Sequence, residues 1–443
     1  YLRDISSLCR GESGGAGVEA LHDMHPAAVL ATCLRDHALI KGLADLGHDA
    51  TLVPMYLPLV TETPADSDVP LFFGGINVYL QQKVALFRHT PWILDRILDR
   101  PALLNSLSRF SASTSARDLG ALTLSVLRGE QGHQQKELEK LVRWLKEDYR
   151  PDLVQLTNSM FVGLAREIKN ALGVPVLCAL QGEDIFLDDL VEPYRTQAME
   201  ILRKRSLDID GFIAPCQYYA SMMAGYLNVT QEKISVVPLG INLSGHGVHQ
   251  QNIGDEPFVV GYLARICPEK GLHILVDAFY QLTQQLGVDK IKLSVAGYLG
   301  ERDRSYFGEI ERQINVWGLS ASFEHWGEVN REQKIRFLNS VHILSVPTIY
   351  QESKGLFVLE ALANGIPVVQ PRHGSFPEFI EATNGGILID PESPSAITSA
   401  ILRLIDEPGY RRQLGQQGQK IVHSQFSDEV MAEGTLAVYR KYI

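Results

Sequence analysis

The stretch Tyr350-Gln-Glu-Ser-Lys-Gly-Leu-Phe-Val-Leu-Glu-Ala-Leu-Ala-Asn-Gly-Ile-Pro367 passes from a turn-like segment into an apolar helix and then into a short apolar strand. Short apolar runs alternate with helical patterns in the same way on both sides of it, from about residue 150 onward. This alternation is typical of parallel strands joined by crossover helices. The sequence therefore predicts an α/β fold.

The apolar runs fall into two series separated by a polar stretch. Residues 244–256 are rich in Gly, His, Gln and Asn, as expected of an interdomain linker. Two doubly wound parallel sheets are therefore predicted, facing a shared cleft at the carboxyl ends of their strands. The predicted strands are Ala50–Pro54, Asp152–Leu156, Val174–Leu180, Gly211–Pro215 and Ile234–Pro238 before the linker, and Phe258–Tyr262, Ile291–Ala296, Phe323–Trp326, Ile343–Val346, Pro367–Gln370 and Gly386–Ile389 after it.

The predicted domain boundaries follow from these series. A Rossmann-like domain covers residues 1–243, the linker residues 244–256, and a second Rossmann-like domain residues 257–426. The end of the chain, residues 427–443, reads as a helix that we expect to pack back on the first domain. Another helix is predicted from Pro26 to Leu46, and no strand is predicted before it.

Length and composition are those of a globular protein with two domains. The chain has 443 residues, of which 45% are hydrophobic and 21% charged. Its net charge of −11 disfavours nucleic acid and anionic membranes, so an anionic ligand requires locally placed cations. Five widely spaced cysteines predict reduced thiols, and the sequence shows neither a membrane span nor a signal peptide. We expect a cytoplasmic protein, with peripheral membrane contact left open.

Gly355 marks the predicted start of the helix in the opening stretch. The free amides of Gly355 and Leu356 would point at one spot, where the helix dipole also favours an anion such as a diphosphate. Glu352 precedes the helix and Glu360 lies just over one turn inside it. Carboxylates beside a phosphate site are favourable when they accept hydrogen bonds from hydroxyls, which points to a nucleotide sugar. The alternative is that Glu352 is only an acidic residue at the start of a helix and Glu360 only a solvent-exposed residue on the face of that helix.

Two cations follow the strand that opens the second domain. Arg265 and Lys270 lie in the segment Gly261-Tyr-Leu-Ala-Arg-Ile-Cys-Pro-Glu-Lys-Gly271, on a strand-to-helix loop at the cleft end. In this position they can stabilise the charge on a departing diphosphate and so replace a metal. The alternative is a pair of surface cations with ordinary salt bridges.

In their combined order, these motifs resemble the retaining glycosyltransferases of the GT-B fold, the family-4 group. The resemblance covers about residues 151–430 and includes two glutamates separated by seven residues, an Arg and Lys loop and a Gly-x-Val turn. The matching segments are Pro238-Leu-Gly-Ile-Asn242, Gly261–Gly271, Gly327-Glu-Val-Asn330, Glu352 to Glu360, Gly374-Ser-Phe-Pro-Glu378 and Gly385-Gly386.

The resemblance implies an enzyme of the hexosyltransferase type (EC 2.4). Such an enzyme moves a sugar from a UDP-, GDP- or ADP-sugar to an acceptor hydroxyl, here unidentified, with retention of configuration and without a cofactor or metal. By the same resemblance, Arg265 and Lys270 neutralise the donor diphosphate. Glu352 contacts the sugar hydroxyls, and Glu360 binds the ribose. The further donor-binding residues that it implies are Ser353, Lys354, Gly355 and Leu356.

The chain departs from the family pattern in two places. Gln181 replaces a histidine that many relatives carry, and a glutamine cannot act as acid or base. Asp184 or Glu183 is therefore expected to position the donor sugar or the acceptor hydroxyl; the alternative is a carboxylate that caps the following helix. The family's first strand and glycine loop are also missing from the prediction. The glycine cluster at residues 14–17 either serves as that loop or belongs to a flexible amino end.

The segment between Tyr56 and Tyr149 contains Phe72-Phe-Gly-Gly-Ile-Asn-Val-Tyr79 and a basic, aromatic stretch over residues 87–100. Because the second domain is expected to hold the donor, this segment is the expected acceptor or partner surface. Its last part, Gln134 to Tyr149, predicts an amphipathic helix that either packs in the core or lies on a membrane.

Three other functions were weighed against this one. A metal-dependent glycosyltransferase of the other common fold requires an Asp-x-Asp after a strand, whereas Asp208-Ile-Asp210 precedes its strand. A nucleotide-sugar 2-epimerase of similar fold fits the window from Glu352 to Glu360 less well. A catalytically silent nucleotide-sugar sensor or scaffold would use overlapping residues, and the presence of both cations and both glutamates disfavours it.

Overall fold

A computed structural model describes residues 27–31, 34–55, 116–247 and 257–443. The glycine cluster at residues 14–17 and the segments 72–79 and 87–100 lie outside the described residues. The strands are β1 (Ala27–Ala31), β2 (Ala50–Pro54), β3 (Leu153–Leu156), β4 (Val176–Ala179), β5 (Gly211–Ala214), β6 (Ile234–Val236), β7 (Phe258–Leu263), β8 (Ile291–Ala296), β9 (Phe323–Gly327), β10 (Ile343–Ser345), β11 (Val368–Pro371) and β12 (Gly386–Ile389).

The helices flank these strands and, in the second sheet, a helix follows each of the six strands. They are α1 (Leu34–Asp45), α2 (Ala116–Arg128), α3 (Gln135–Trp144), α4 (Ala165–Leu172), α5 (Glu183–Asp188), α6 (Tyr194–Arg205), α7 (Gln217–Leu227), α8 (Leu272–Leu286), α9 (Arg304–Val316), α10 (Arg331–Leu338), α11 (Leu356–Ala363), α12 (Phe376–Thr383), α13 (Pro394–Asp406), α14 (Pro408–Gln425) and α15 (Asp428–Tyr439).

The strands form two parallel six-stranded sheets, one on each side of the linker. Their orders are β2-β1-β3-β4-β5-β6 and β12-β11-β10-β7-β8-β9. The strand order therefore reverses between β1 and β3 in the first sheet and between β7 and β10 in the second. Ligands of doubly wound folds bind at such switch points, beyond the carboxyl ends of the strands. The predicted α/β fold is confirmed, and each predicted strand ends within two residues of its observed bounds.

The prediction was wrong at the amino end, where a first strand is present. Ala27–Ala31 was expected to begin a helix, but it forms β1 and pairs with both β2 and β3, and the helix begins only at Leu34. The stretch Ala-Ala-Val-Leu-Ala has no polar residue to reveal a period, and its alanines favour a helix by propensity. A phosphate-binding glycine loop follows the first strand in such folds, whereas the glycines at residues 14–17 precede β1 in the chain.

The last helix packs on the first domain. Met431 and Ala432 of α15 share a buried apolar cluster with Leu39 and Leu43 of α1. The hydroxyl of Tyr439 donates to Gln155 Oε1 of β3 at 2.9 Å, inside the same cluster. The end of the chain therefore crosses back from the second sheet to the first.

Two open interpretations are resolved in the first domain. Leu138, Leu141 and Leu145 are at most 2% exposed, so the helix predicted from Gln134 is a core helix. Asp208 pairs with Arg166 at 3.0 Å, and Asp210 accepts from the amide of Val176 at 2.8 Å and from Lys169 at 2.7 Å. Both aspartates thus lie at the amino-terminal ends of the strands, opposite the cleft.

Within the described residues, every helix is too short or too polar to span a membrane.

Candidate donor site at the switch point of the second sheet

The loops that follow β7 and β10 meet at the switch point of the second sheet. Lys270 from the first loop places Nζ 2.5 Å from Glu352 Oε2 and 2.5 Å from the Tyr350 hydroxyl in the second. The Tyr350 hydroxyl also donates to Glu352 Oε2, at 2.6 Å. The side chains of Lys270 and Glu352 are only 15% and 6% exposed. Two residues predicted to bind the donor therefore form one buried ion pair.

Glu352 is held in its ionised form. Burial alone would raise the pKa of its carboxyl group, but the charge of Lys270 and the hydrogen bonds from Lys270, Tyr350 and the Lys354 amide lower the pKa below its usual value. The amide bond from Lys354 N reaches Oε1 at 3.2 Å. An ionised carboxylate only accepts hydrogen bonds, so Glu352 is suited to ligands with hydroxyl groups.

Two glycines allow the loops to approach so closely. Gly271 has φ +69°, and a Cβ added there would lie 1.9 Å from the Pro347 carbonyl oxygen. Gly374 has φ +59°, and its Cβ would lie 2.5 Å from the carbonyl oxygen of Glu352. The next residue, Ser375, donates its amide to that same oxygen at 2.7 Å. The backbone on either side of the ion pair therefore has no room for a side chain at these positions.

The helix of the opening stretch begins where it was predicted. Gly355 has φ +55° and precedes α11, whose first residue is Leu356. Among the described residues, neither amide has an acceptor. Both amides are therefore left to donate to a ligand at the start of α11, where the positive end of the helix favours an anion.

Glu360 lies in the second turn of α11 and makes its own ion pair. Lys334 Nζ of α10 is 2.5 Å from Glu360 Oε1, and the two side chains are 26% and 16% exposed. The second carboxylate oxygen, Oε2, accepts no hydrogen bond from the described residues. The two glutamates of the motif thus each have a lysine partner, Glu352 from the loop after β7 and Glu360 from α10.

Arg265 lies in the same loop as Lys270 but contacts neither glutamate. Its Nε donates to Cys267 Sγ at 3.3 Å, and the residue is exposed. It forms no ion pair with the part of the chain that the structure describes. Its guanidinium group therefore remains available to an anion at the mouth of the cleft.

The first domain contributes the loop between β4 and α5. Glu183 is buried and accepts from the amides of Ser159 at 2.8 Å and Gln181 at 2.6 Å, so it joins two loops of its own sheet. Asp184 accepts from the Tyr219 hydroxyl at 2.6 Å. Burial, together with the charge of Glu183, raises the pKa of Asp184. Of the two carboxylates expected here, only Asp184 is left for a ligand.

The two domains touch across the cleft at several points. Lys354 Nζ donates to Gln181 Oε1 at 3.4 Å, and the Cys216 thiol lies 3.6 Å from the Ser353 carbonyl oxygen. The Glu378 carboxylate accepts from the first two amides of α7, Gln217 N at 2.8 Å and Tyr218 N at 2.5 Å. The predicted residues Ser353 and Lys354 therefore lie at the domain contact rather than against the ion pair alone.

Sequence reasoning missed three residues that the structure places in or beside the site. Tyr350 lies two positions before Glu352, but no sequence pattern marks its hydroxyl as a partner of the glutamate. Lys334 gave no signal, because it lies 26 residues from Glu360 on a separate helix. Glu378 belongs to the loop motif Gly374–Glu378, but its partners on α7 lie in the other domain, 160 residues away or more.

Two family models match consecutive parts of the chain. Glycosyltransferase Family 4 matches residues 124–244, and Glycosyl transferases group 1 matches residues 248–421. The boundary between them falls in the linker: the first model covers β3 to β6 of the first sheet, and the second model covers the whole second sheet. The chain belongs to the GT-B glycosyltransferases. Its two sheets and the cleft between them are the GT-B arrangement.

Named relatives and solved structures agree with this family. The chain is 28% identical to the D-inositol 3-phosphate glycosyltransferase of Segniliparus rotundus over 62% of either chain. It is 27% identical to the MMP alpha-(1->4)-mannosyltransferase of Mycolicibacterium hassiacum over 48% of this chain and 50% of that one. The chain thus spans between half and two thirds of the length of these curated relatives.

The structural likeness extends over nearly the whole length of this chain and of the solved structures. HepE of Anabaena, solved in complex with UDP, aligns with a TM-score of 0.66 at 16% identity, covering 94% of this chain and 100% of HepE. The sucrose-phosphate synthase of Thermosynechococcus elongatus aligns with a TM-score of 0.67 at 16% identity, covering 94% and 98%. At this level of identity the likeness concerns the fold alone.

Proposed function

We propose that this chain is a retaining, metal-independent glycosyltransferase that moves a hexosyl group from a nucleotide-sugar donor to an acceptor hydroxyl. The observation that carries the proposal is the convergence of Lys270, Glu352 and the amides of Gly355 and Leu356 at the switch point of the second sheet. The named relatives are glycosyl- and mannosyltransferases, and the HepE structure holds UDP, which supports a nucleotide sugar.

In this proposal, the positive charge of the site stabilises the leaving nucleoside diphosphate. The pyrophosphate binds between Arg265, Lys270 and the two amides at the start of α11, which take the place of a metal ion. Glu352, ionised and fixed by its neighbours, accepts hydrogen bonds from the hydroxyls of the transferred sugar. Glu360 accepts from the ribose.

The transfer itself exchanges one bond for another at the anomeric carbon. The bond to the leaving phosphate oxygen breaks as the bond to the acceptor oxygen forms on the same face, and the acceptor proton passes to the leaving phosphate. Asp184, which accepts a hydrogen bond from the Tyr219 hydroxyl, is proposed to orient the sugar or the acceptor hydroxyl. The hydrogen bond from Lys354 to Gln181 joins the two domains beside this centre.

The donor can be identified in two steps, first by measuring binding and then by measuring turnover. A nucleotide sugar at a hundred times its dissociation constant should add about 2.7 kcal/mol to the stability of the folded state, so UDP-, GDP- and ADP-sugars can be ranked by thermal shift. With the best donor, hydrolysis to nucleoside diphosphate measures turnover, because water replaces the unidentified acceptor. The same assay in EDTA tests the metal independence.

Variants of the ion pair test the assignment. Lys270→Ala and Glu352→Ala are expected to keep their far-UV circular dichroism and to lose turnover by about a hundredfold or more. Lys292→Ala removes a lysine that pairs with Glu324 at 2.8 Å outside the cleft, and it should keep wild-type turnover. Unchanged turnover in both site variants would remove the assignment. If the wild-type protein binds a nucleotide sugar but does not turn it over, a catalytically silent nucleotide-sugar sensor or scaffold is favoured instead.

A further inference from the structure

A basic cavity lies among the helices of the first domain, apart from the donor site. It has a volume of about 260 Å³ and lies between the end of α2, the start of α4 and the length of α6. Four of the residues that line it are basic and one is acidic: Arg128, Arg166, Lys204 and Arg205, and Glu200. In a chain with a net charge of −11, four cations that converge on one cavity require a physical reason.

Two carboxylates fix two of the guanidinium groups of the basic cavity. Arg205, whose side chain is only 4% exposed, donates to Glu130 Oε1 at 2.8 Å and to the carbonyl oxygen of Arg128. Arg166 pairs with Asp208 at 3.0 Å and with Glu130 at 3.5 Å. Burial alone would raise the pKa of Glu130, but the hydrogen bond from Arg205 and the charges of Arg205 and Arg166 lower the pKa. The charges of these two arginines are therefore balanced by ionised carboxylates.

The other two cations are in excess of these acids. Arg128 and Lys204 are exposed, and neither forms an ion pair within the described part of the chain. Glu200 lies one turn before Lys204, at a spacing that favours an ion pair, yet the two side chains do not pair. The neighbouring Arg203 donates to the carbonyl oxygen of Tyr226 at 3.1 Å and does not line the cavity.

The helix dipole explains only part of this arrangement. Arg128 and Lys204 lie in the last turns of α2 and α6, where the negative end of a helix favours a cation. Arg166, in contrast, lies in the first turn of α4, where the dipole gives no such reason. Cations from three helices thus surround one cavity, and such a concave cluster of one sign of charge attracts an anion.

The lining of the basic cavity is suited to a phosphate group. A guanidinium group matches two phosphate oxygens, and an ammonium group adds a compact positive charge. Gln131 and Gln197 also line the cavity, and their amides can donate to and accept from neutral hydroxyls. The volume is just below the range of about 300–1,000 Å³ that is typical of pockets for drug-sized ligands, so the ligand is a small molecule.

We propose that the basic cavity binds a small phosphorylated polyol, of the chemical class of the sugar phosphates. This inference does not depend on the function proposed above, because none of the lining residues belongs to the donor site. The ligand is not a reactant in the transfer, since the lining residues lie on helices and on the turn after α2 rather than on the loops at the cleft. Because it joins three helices of the first domain, it should stabilise that domain.

Isothermal titration calorimetry with glucose 6-phosphate, inorganic phosphate and glucose tests the proposal. Glucose 6-phosphate should bind with a dissociation constant of about 1 mM or less, inorganic phosphate more weakly, and glucose not measurably. The double variant Arg128→Gln/Lys204→Gln should bind glucose 6-phosphate at least about tenfold more weakly, since hydrogen bonds from charged groups are lost. Both residues are exposed, so the variant should keep the far-UV circular dichroism of the wild-type protein.

Two matched variants separate this cavity from other sources of positive charge. Arg203→Gln removes a cation of α6 that does not line the cavity, and Lys270→Ala changes the donor site; both should keep the wild-type affinity for glucose 6-phosphate. The inference is wrong if the wild-type protein binds neither glucose 6-phosphate nor inorganic phosphate, if the double variant keeps full affinity, or if either matched variant weakens binding as much. Equal affinity for the two phosphates would overturn the polyol part.

The same phosphate chemistry can be offered by a lipid headgroup. Vesicles of phosphatidic acid in phosphatidylcholine present a phosphate monoester at a membrane surface, and the wild-type protein should not sediment with them. Sedimentation that the double variant loses, together with no binding of glucose 6-phosphate, would overturn the choice of a soluble ligand.

Discussion

Lys270 Nζ lies 2.5 Å from Glu352 Oε2, and both side chains are largely buried at the point where two loops of the second sheet meet. Neither residue can be changed alone without leaving its partner as a buried charge, which is far more costly than losing a surface salt bridge. The pair is therefore a structural unit as well as the proposed centre of donor binding.

A double-mutant cycle should reveal this coupling in the protein without ligand. Lys270→Met is expected to lower the free energy of unfolding by about 3 kcal/mol, because burial then acts on the Glu352 carboxylate without compensation. Glu352→Gln in the same chain should restore most of that loss. Urea unfolding at pH 7 measures all four proteins, and additive losses would contradict the coupling.

The glycine at position 271 should be irreplaceable for a steric reason. In Gly271→Ala, the new methyl group would lie 1.9 Å from the Pro347 carbonyl oxygen, so the Lys270 loop must move. We expect a loss of at least about 3 kcal/mol in the free energy of unfolding, beyond the cost of positive φ. Gly173→Ala is the control, because Gly173 has φ +73° with open space around it, and it should lose about 1 kcal/mol. Equal losses of free energy of unfolding in the two variants would contradict a steric role for the contact between residue 271 and Pro347.

The folded state should lose stability in mild acid because of His246, which lies in the linker. This residue is 3% exposed and Asn364 Nδ2 donates to its Nδ1 at 2.7 Å, while burial and the charges of Arg331 and Lys334 lower its pKa from 6.5 to about 4. The unfolded chain therefore binds a proton between about pH 6.5 and 4 that the folded chain does not, and stability falls as the pH falls through this window.

The effect is measurable against an uncharged variant. His246→Asn keeps an acceptor near Asn364 but cannot titrate. Between pH 7 and pH 5 the wild-type protein should lose about 2 kcal/mol more than the variant does, as judged by urea midpoints. Parallel pH profiles for the two proteins would show that folding leaves the pKa of His246 unchanged, which would contradict the prediction.

Glu378 should hold the cleft closed in the absence of ligand. Its carboxylate caps the first turn of α7 from the opposite domain, an interaction that contributes about 1 to 2 kcal/mol to the closed form. Glu378→Gln should increase the radius of gyration seen by small-angle X-ray scattering. Glu381→Gln changes an exposed glutamate of the same helix and should not. A radius that is the same in all three proteins would contradict this role.

How far the sequence predicts this structure depends on how local each feature is. The second sheet, the start of α11 at Gly355 and the two glutamates follow from patterns within about 20 residues. The strand β1 was misread because five apolar residues rich in alanine fit a helix as well as a strand. Lys334 with Glu360, and Glu378 with Tyr218, meet only after the chain has folded, and no local pattern marks such partners.

The most direct test is a crystal structure with the nucleoside diphosphate that binds most tightly. The pyrophosphate should lie beside Lys270 and Arg265, at the amides of Gly355 and Leu356, with the ribose on Glu360. Density for the diphosphate away from the switch point at the carboxyl ends of β7 and β10, or Glu352 and Glu360 turned away from the ligand, would contradict the proposed donor site.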